Sequence, residues 1–248
     1  MRRLIRRKLS AATTTHLNTK TVLVLAAPPH KRKALAKRLW KQAAKTRAFS
    51  EIRRILQSMA SGLRRCMYCE DSRGVAIDHF WPLSRYPRRA FRWHNYLHAC
   101  TYCNSNEKRS QLPIEPLTRR PLVVKPTRED PRDHLVFAPS TGRFTSRQGS
   151  VKGDPTIRVF GLNTRPELPV GRLDAFTVLQ SLLADYADQR RKGLDAQADK
   201  IKSAVQNHPF SAVFVYLVQI ASSKGEALLR PECLAALDAY PEIKSWTG

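Results

Sequence analysis

Residues 66–83 read C-M-Y-C-E-D-S-R-G-V-A-I-D-H-F-W-P-L, and residues 93–108 read W-H-N-Y-L-H-A-C-T-Y-C-N-S-N-E-K. Two C-x-x-C pairs, Cys66/Cys69 and Cys100/Cys103, bracket the segment. With two residues between cysteines, the backbone amides turn back toward both thiolates, so two such knuckles complete a tetrahedral S₄ site for Zn²⁺. On that ground alone the segment reads as a structural zinc ribbon that folds a binding surface. Two features argue for more. The knuckles lie 30 residues apart, beyond the spacing of about 15–20 in a simple ribbon. The insert also carries Asp78-His79 directly after a strand-like V-A-I, and Asn104 follows the last cysteine. A disulfide reading would need an oxidising compartment. The first twenty residues are basic but lack the apolar core of about 7–15 residues found in a secretory signal. The fifth cysteine, Cys233, shares helical spacing with Leu229 and Leu237 and reads as core.

The 248-residue chain carries 44 Lys and Arg against 20 Asp and Glu, a formal net charge of +24. The excess is uneven. Residues 1–65 hold 18 Lys and Arg against the single acid Glu51, whereas residues 126–248 hold 16 against 14. Such an excess makes a polyanion the first candidate partner, because clustered cations gain affinity by releasing counterions condensed on phosphate chains. An acidic membrane surface would attract the same charge. No apolar run reaches the ~18–20 residues that spanning a bilayer requires, and the longest, 210–221, is interrupted by Ser211 and Gln219. The expectation is a cytoplasmic chain with no membrane partner.

Outward from the cysteines, three regions are expected: a basic N-terminal arm with helices (1–62), the cysteine-rich module (63–112), and an irregular or β segment leading into a helical bundle (113–248). Residues 21–27, T-V-L-V-L-A-A, read as a short strand stopped by Pro28-Pro29. Residues 31–48 are strong helix formers, with Leu35, Leu39 and Trp40 on one face. A second helix restarts near Glu51, with Ile52, Ile55, Leu56 and Met59 inward, and ends at Gly62. Strand-like runs follow at 122–125, 134–139, 142–146 and 156–160, with a hairpin turn at S-T-G 140–142. Helices are expected at 171–191, 195–207, 209–223 and 231–239, the third being central.

The pattern D-H-h-x-P, then an Asn before h-x-x-C-x-x-C-N-x-x-x-K, resembles the HNH endonucleases, and the flanking cysteines resemble their zinc-stapled subgroup. The resemblance implies an α+β chain built on a ββα-metal module, with strands at 75–79 and 96–99 and a helix at 101–109. It implies that His79 is the general base that takes a proton from the attacking water. It implies that Asp78 and Asn104 hold a catalytic Mg²⁺ or Mn²⁺, for which a carboxylate and an amide oxygen are hard donors. Asn95 matches the middle Asn, which braces the loop and orients His79. Cys66, Cys69, Cys100 and Cys103 would hold the structural Zn²⁺. The implied products are a 5′-phosphate and a 3′-hydroxyl. One departure is visible: the lysine usually lies three positions after the final Asn, whereas Lys108 is four after Asn104, and Asn106 lies within reach on the same helix.

More widely, C-x-Y-C-E, H-F-x-P-x-S-x-Y-P, F-A-P-S-T-G and T-I-R-V-F-G-L-N resemble the stand-alone HNH nucleases of bacterial anti-phage systems, the Septu, retron-associated and type II Zorya nucleases. This implies double-stranded DNA as substrate and other subunits of a defence system as partners. Arg2, Arg3, Arg6, Arg7, Lys31, Arg32, Lys33, Lys37, Arg38, Lys41 and Lys108 are the expected nucleic-acid contacts. Nothing in the chain reads base edges in a recognisable way, so cleavage or nicking of low sequence specificity is expected. The alternative is a non-catalytic, zinc-stabilised nucleic-acid-binding protein.

Overall fold

The computed structural model describes residues 1–223 and 225–247. Residues 1–9 form no regular element, with Met1 and Leu4 buried and the Leu4 amide donating to the Pro126 carbonyl at 2.8 Å. Ser10 caps helix α1 (Ala11–Ala26) by accepting from the Thr13 amide. Glu51, the one acid of this quarter, takes the Ser10 amide and hydroxyl at 2.8 Å each and the Thr13 hydroxyl as well. It thereby ties the start of α1 to helix α3 (Arg47–Met59). These bonds, the Thr13 hydroxyl first, hold its carboxyl below the usual range.

The strand expected at 21–27 is instead the last turns of α1. Thr13, Leu17, Thr21 and Val24 are the buried residues, a helical spacing that outweighs the β preference of the T-V-L-V run. The Thr21 hydroxyl is satisfied by the Leu17 carbonyl at 2.9 Å. Ala27, preceding Pro28, is extended and ends the helix. Helix α2 (Arg32–Ala43) turns Ala36, Leu39 and Ala43 inward. Helix α3 (Arg47–Met59) starts four residues before Glu51 and buries Phe49, Ile52, Ile55, Leu56 and Met59.

Strands β1 (Ala76–His79) and β2 (Tyr96–Ala99) pair antiparallel, Asp78 opposite Leu97 and His79 opposite Tyr96. A helix of π form follows at Tyr102–Lys108. The order over 76–108 is therefore strand, long loop, strand, helix.

In the C-terminal half, β3 (Leu135–Ala138) and β4 (Arg143–Ser146) form the expected hairpin. Gly142 has φ +66, and a Cβ there would lie 2.0 Å from the Pro169 carbonyl oxygen, so only glycine fits. Residues 122–125 are not a strand. Residues 156–160 are mostly helix: α4 (Gly153–Val159) places the Thr156 hydroxyl between the Lys152 carbonyl (2.7 Å) and the Val124 amide (2.9 Å). That use of its hydroxyl suits a helix and overrides the β-branched pattern. Helix α5 (Glu167–Arg191) packs against α6 (Asp195–Asn207), α7 (Ser211–Ala221) and α8 (Pro231–Ala239). Helix α7 buries residues 211–217, as expected of a central helix, and Cys233 is fully buried. One hydrophobic core runs from Met1 to Trp246, so the three sequence regions share it.

Candidate active site

The four knuckle cysteines come together at one end of the β1–β2 hairpin. Their Sγ atoms all lie within 4.8 Å of one another, all four residues are buried, and Cys69 and Cys100 are 3.9 Å apart. Tetrahedral thiolates at a Zn–S distance of about 2.3 Å have edges of about 3.8 Å, so the donor set fits zinc. Backbone amides already point at the sulfurs, Tyr68 N to Cys66 Sγ at 3.5 Å and Cys103 N to Cys100 Sγ at 3.4 Å. Hydrogen bonds from Cys100, Cys103 and Cys66 hold Cys69 well below the ordinary thiol range. From just before α5, Arg165 Nη2 donates to Cys103 Sγ at 3.4 Å. Among the described residues this is the one group of three or more His, Cys, Asp or Glu with metal-like spacing.

Successive residues of a strand face opposite sides, and β1 separates Asp78 from His79 accordingly. Asp78 is buried. The Tyr68 hydroxyl donates to Oδ2 at 2.5 Å and Lys108 Nζ to Oδ1 at 2.9 Å. The same ammonium donates to the His79 carbonyl at 2.7 Å. Burial first, then the Asp78 charge, pushes the Tyr68 phenol well above its usual range.

His79 packs its ring against Trp40 (centroids 4.2 Å) and Tyr96 (5.4 Å). Its Nε2 lies 3.0 Å from the Ala90 carbonyl. A carbonyl only accepts, so Nε2 carries the proton and Nδ1 keeps the lone pair of the neutral ring. Burial pulls the imidazole down to about 4, against the Asp78 charge and the Ala90 bond, which raise it. The ring is therefore neutral at physiological pH. The Tyr96 hydroxyl donates to the same Ala90 carbonyl at 2.8 Å.

Asn95 uses its whole amide inside the loop that joins the strands. Its Oδ1 accepts from Trp81 N at 2.7 Å, and Nδ2 donates to the Trp81 and Arg89 carbonyls at 3.0 Å each. Arg89 precedes Ala90, so one buried side chain fixes the segment that presents the acceptor for His79.

Asn104 lies in the π helix. It is partly exposed, its Nδ2 is 3.5 Å from Ser105 Oγ, and no hydrogen bond joins it to Asp78 or His79. The extra residue between Asn104 and Lys108 is absorbed by the π form, in which the Arg109 amide bonds five residues back to the Asn104 carbonyl at 3.0 Å. The helix turns Lys108 fully inward and leaves Asn106 exposed. Both Asp78 oxygens are engaged, by Tyr68 and by the Lys108 ammonium, so in this arrangement Asp78 offers no free oxygen to Mg²⁺ or Mn²⁺.

The expected nucleic-acid contacts divide. Arg3, Arg7, Lys31, Lys33, Lys37, Arg38 and Lys41 are exposed, and Arg2 is partly buried. Arg6 turns inward, donating to the Tyr96 carbonyl and Thr127 Oγ1 at 2.9 Å each and lying over Trp93. Burial lowers its pKa to about 10. Arg32 spans the Leu25 and Ala27 carbonyls at 2.9 Å each, closing the C-terminus of α1. Lys108 belongs to Asp78. His98, on β2, is buried against Gly74, where a Cβ would lie 2.3 Å from its ring, which is a packing role.

Tyr68, Trp40, Tyr96 and Arg165 were not singled out as site residues in the sequence. Tyr68 lies inside C-M-Y-C, and Trp40 falls on the apolar face of α2. The aromatic identity of each was visible, but its partner across the fold was not.

A cysteine-stapled strand–strand–helix centre with a part-buried histidine and a buried Asp–Lys pair is thus the class of site present. No family model matches the chain. The chain is a distant homologue of curated proteins named Septu protein PtuB. One from Bacillus mycoides (strain KBAB4) is 30% identical over 142 residues, covering 46% of this chain and 47% of that protein. One from Bacillus thuringiensis is 26% identical over 114 residues, covering 44% and 40%. The chain thus spans less than half the length of these relatives. Among the described residues, no helix is long and apolar enough to cross a membrane.

Proposed function

We propose that this chain is the HNH-type nuclease of a bacterial anti-phage system, hydrolysing DNA phosphodiester bonds to a 5′-phosphate and a 3′-hydroxyl, with Zn²⁺ as a structural ion and other defence subunits as partners. The observation that carries the reading is His79. It is neutral, its Nε2–H is anchored on Ala90, and Nδ1 is left as a proton acceptor. A general base must hold its ring still and keep a lone pair at working pH; the Ala90 carbonyl, Trp40 and the Asn95-braced loop supply the first, and burial the second. In this reading Nδ1 takes the proton of the attacking water, and Asn95 acts through the loop as a positioning residue. The homology to proteins named Septu protein PtuB supports the defence role.

A second reading, a zinc-stabilised nucleic-acid-binding protein without catalysis, is favoured by Asp78, both of whose oxygens are already engaged. Incubation of supercoiled plasmid with the purified chain, with and without neighbouring gene products, in Mg²⁺, Mn²⁺ or EDTA separates the two. Relaxed or linear DNA with wild type and none with His79→Ala is expected. Unchanged plasmid under every condition selects the second reading, and equal cleavage by wild type and His79→Ala overturns the assignment of the general base to His79.

A further inference from the structure

A cleft of about 520 Å³ opens beside the loop that leaves β1. Phe80 and Trp81, the residues that follow His79, line it together with six cations: Arg89, Arg119, Arg120, Lys125, Arg128 and Lys152. Glu129 is the one acid on its wall, and its charge is spent internally. It pairs with Lys152 and with His134 Nε2 at 3.3 Å, and it accepts the Lys125 amide at 3.0 Å. The cations come from three separate stretches of chain, so the fold rather than a basic run in the sequence gathers them.

Burial, then the neighbouring Arg6, Arg128 and Arg89, lowers the Lys125 ammonium to about 7. Crowding like charges in this way works against folding, and such concentrations of one sign focus the field on a ligand of the opposite sign. The aromatic faces are already covered. The Arg89 guanidinium lies 4.0 Å above Trp81, and Lys125 Nζ lies 5.1 Å from the Phe80 centroid. The cleft therefore offers charge and hydrogen-bond donors, with no free ring for a base to stack on, which suits a phosphate chain.

Its placement is fixed as well. Asn95 holds the Trp81 amide and the Trp81 and Arg89 carbonyls, and the same three bonds brace the loop behind His79. On the opposite wall, Glu115 closes a tight turn by accepting the Leu117 amide at 3.0 Å. The backbone pairing of Glu115 with Arg119 and Arg120 at 2.9 Å then presents those two arginines.

We propose that this cleft binds the sugar–phosphate backbone of the DNA whose scissile bond is presented to His79. The proposal deepens the nuclease reading and rests on it only for the word scissile. It adds a contact surface outside the basic N-terminal quarter, where Arg6 and Arg32 are occupied internally and Arg3, Arg7 and the α2 lysines stay exposed. Backbone contacts carry no sequence information, so binding here is indifferent to sequence.

The test is fluorescence anisotropy of a labelled 20-base-pair duplex with the full zinc-loaded chain and no added Mg²⁺ or Mn²⁺, across a KCl series. Arg119→Ser/Arg120→Ser/Arg128→Ser removes three exposed cations from the cleft. Arg191→Ser/Lys192→Ser/Lys200→Ser, on exposed positions around the α5–α6 turn, is the charge-matched control. Each duplex phosphate contact contributes about 0.9 to the salt slope, so the cleft variant should lose about 2.7. If the two proteins converge at 1 M salt, that is roughly a 500-fold weaker complex at 0.1 M. The control should keep the wild-type slope. Equal slopes for wild type and cleft variant, or equal losses in both triple variants, overturn the proposal.

Inorganic tripolyphosphate serves as the competing source of phosphate. If it binds wild type while the duplex does not, the cleft is a free-polyphosphate site and the proposal fails. Plasmid cleavage is read separately. A wild type that cuts DNA beside a cleft variant that binds and cuts equally well sinks this inference and leaves the nuclease reading intact. Loss of duplex binding by the cleft variant, with a wild type that binds but never cuts, does the reverse.

Discussion

Replacing Lys108 with Met should be among the most damaging single changes in the molecule, and the buried ion pair says by how much. Lys108 and Asp78 are 2.9 Å apart, with side chains 1% and 3% exposed. At an effective dielectric of about 20, opposite charges at that distance attract by roughly 6 kcal/mol before desolvation is subtracted. What the variant reports is the cost of leaving Asp78 buried without its partner, about 3–5 kcal/mol in comparable cases. The bond from Lys108 to the His79 carbonyl is lost too, which places the expectation near the top of that range. Tyr68 still donates to Asp78 and limits the damage. For a chain of this size each kcal/mol lowers Tm by about 2–4 °C, so a fall of roughly 10–20 °C is expected. In Asp78→Asn/Lys108→Met the uncompensated charge is gone, and the neutral amide oxygen still accepts from Tyr68. About half of the loss should return. Urea unfolding of wild type, both single variants and the double variant measures the cycle, provided the m-value holds constant. A loss under about 1 kcal/mol for Lys108→Met, or a double variant no more stable than Lys108→Met, would refute the argument that this pair is a closed, desolvated unit.

Arg165→Ala should weaken zinc about 10–100-fold by removing a donor to Cys103 Sγ, as outer-shell changes do elsewhere; competition with a chromogenic chelator reads it, and unaltered zinc affinity would mean the contact is incidental. Asn95→Ala should free the loop from three anchors, so the Trp81 amide should exchange with deuterium much faster than the β2 amides, and unchanged protection there would contradict the bracing role. Lys125→Met should raise stability in a pH-dependent way. Between the folded value of about 7 and the ordinary 10.5, the unfolded chain holds a proton that the folded one lacks. Wild-type stability therefore rises with pH across that window, and the penalty is full below pH 7. The Tm advantage of Lys125→Met should be greatest at pH 7 and below, and gone near pH 10.5; a pH-independent difference would exclude titration as its source.

The cysteine knuckles, the two strands of the module and most of the C-terminal helices were legible because each follows from local spacing. A C-x-x-C turn, an alternating V-A-I-D-H run and an apolar helix stripe all announce themselves within ten residues. What was not legible depended on pairing across the chain. The T-V-L-V-L-A-A run looks like a strand until Thr13 and Leu17 are seen to share its buried stripe. Thr156 looks like a strand residue until its hydroxyl meets Lys152 and Val124. Lys108 reads as one more basic residue on a helix, because only the π turn that absorbs the extra position sends it inward to Asp78.

Charge shows the same division more sharply. Counting locates 18 of the 44 cations in the first 65 residues, and that count assigned the polyanion contact to the N-terminal arm. The fold spends several of those cations on itself. Arg6 ties β2 to Thr127, Arg32 closes α1, and Arg53 donates to the Ala44 carbonyl at 2.9 Å between α2 and α3. A guanidinium whose donors already meet carbonyls gains little from a phosphate, since the new bonds only replace existing ones. The stretches that supply the cleft leave Arg119, Arg120 and Arg128 exposed and, among the described residues, in no salt bridge. Counterion release depends on how many free cations a phosphate chain can reach at once. Positive charge left over after folding therefore lies in two places, on the exposed cations of the N-terminal quarter and in the cleft beside the loop that follows His79, and the salt slope of the cleft variant weighs the second against the first.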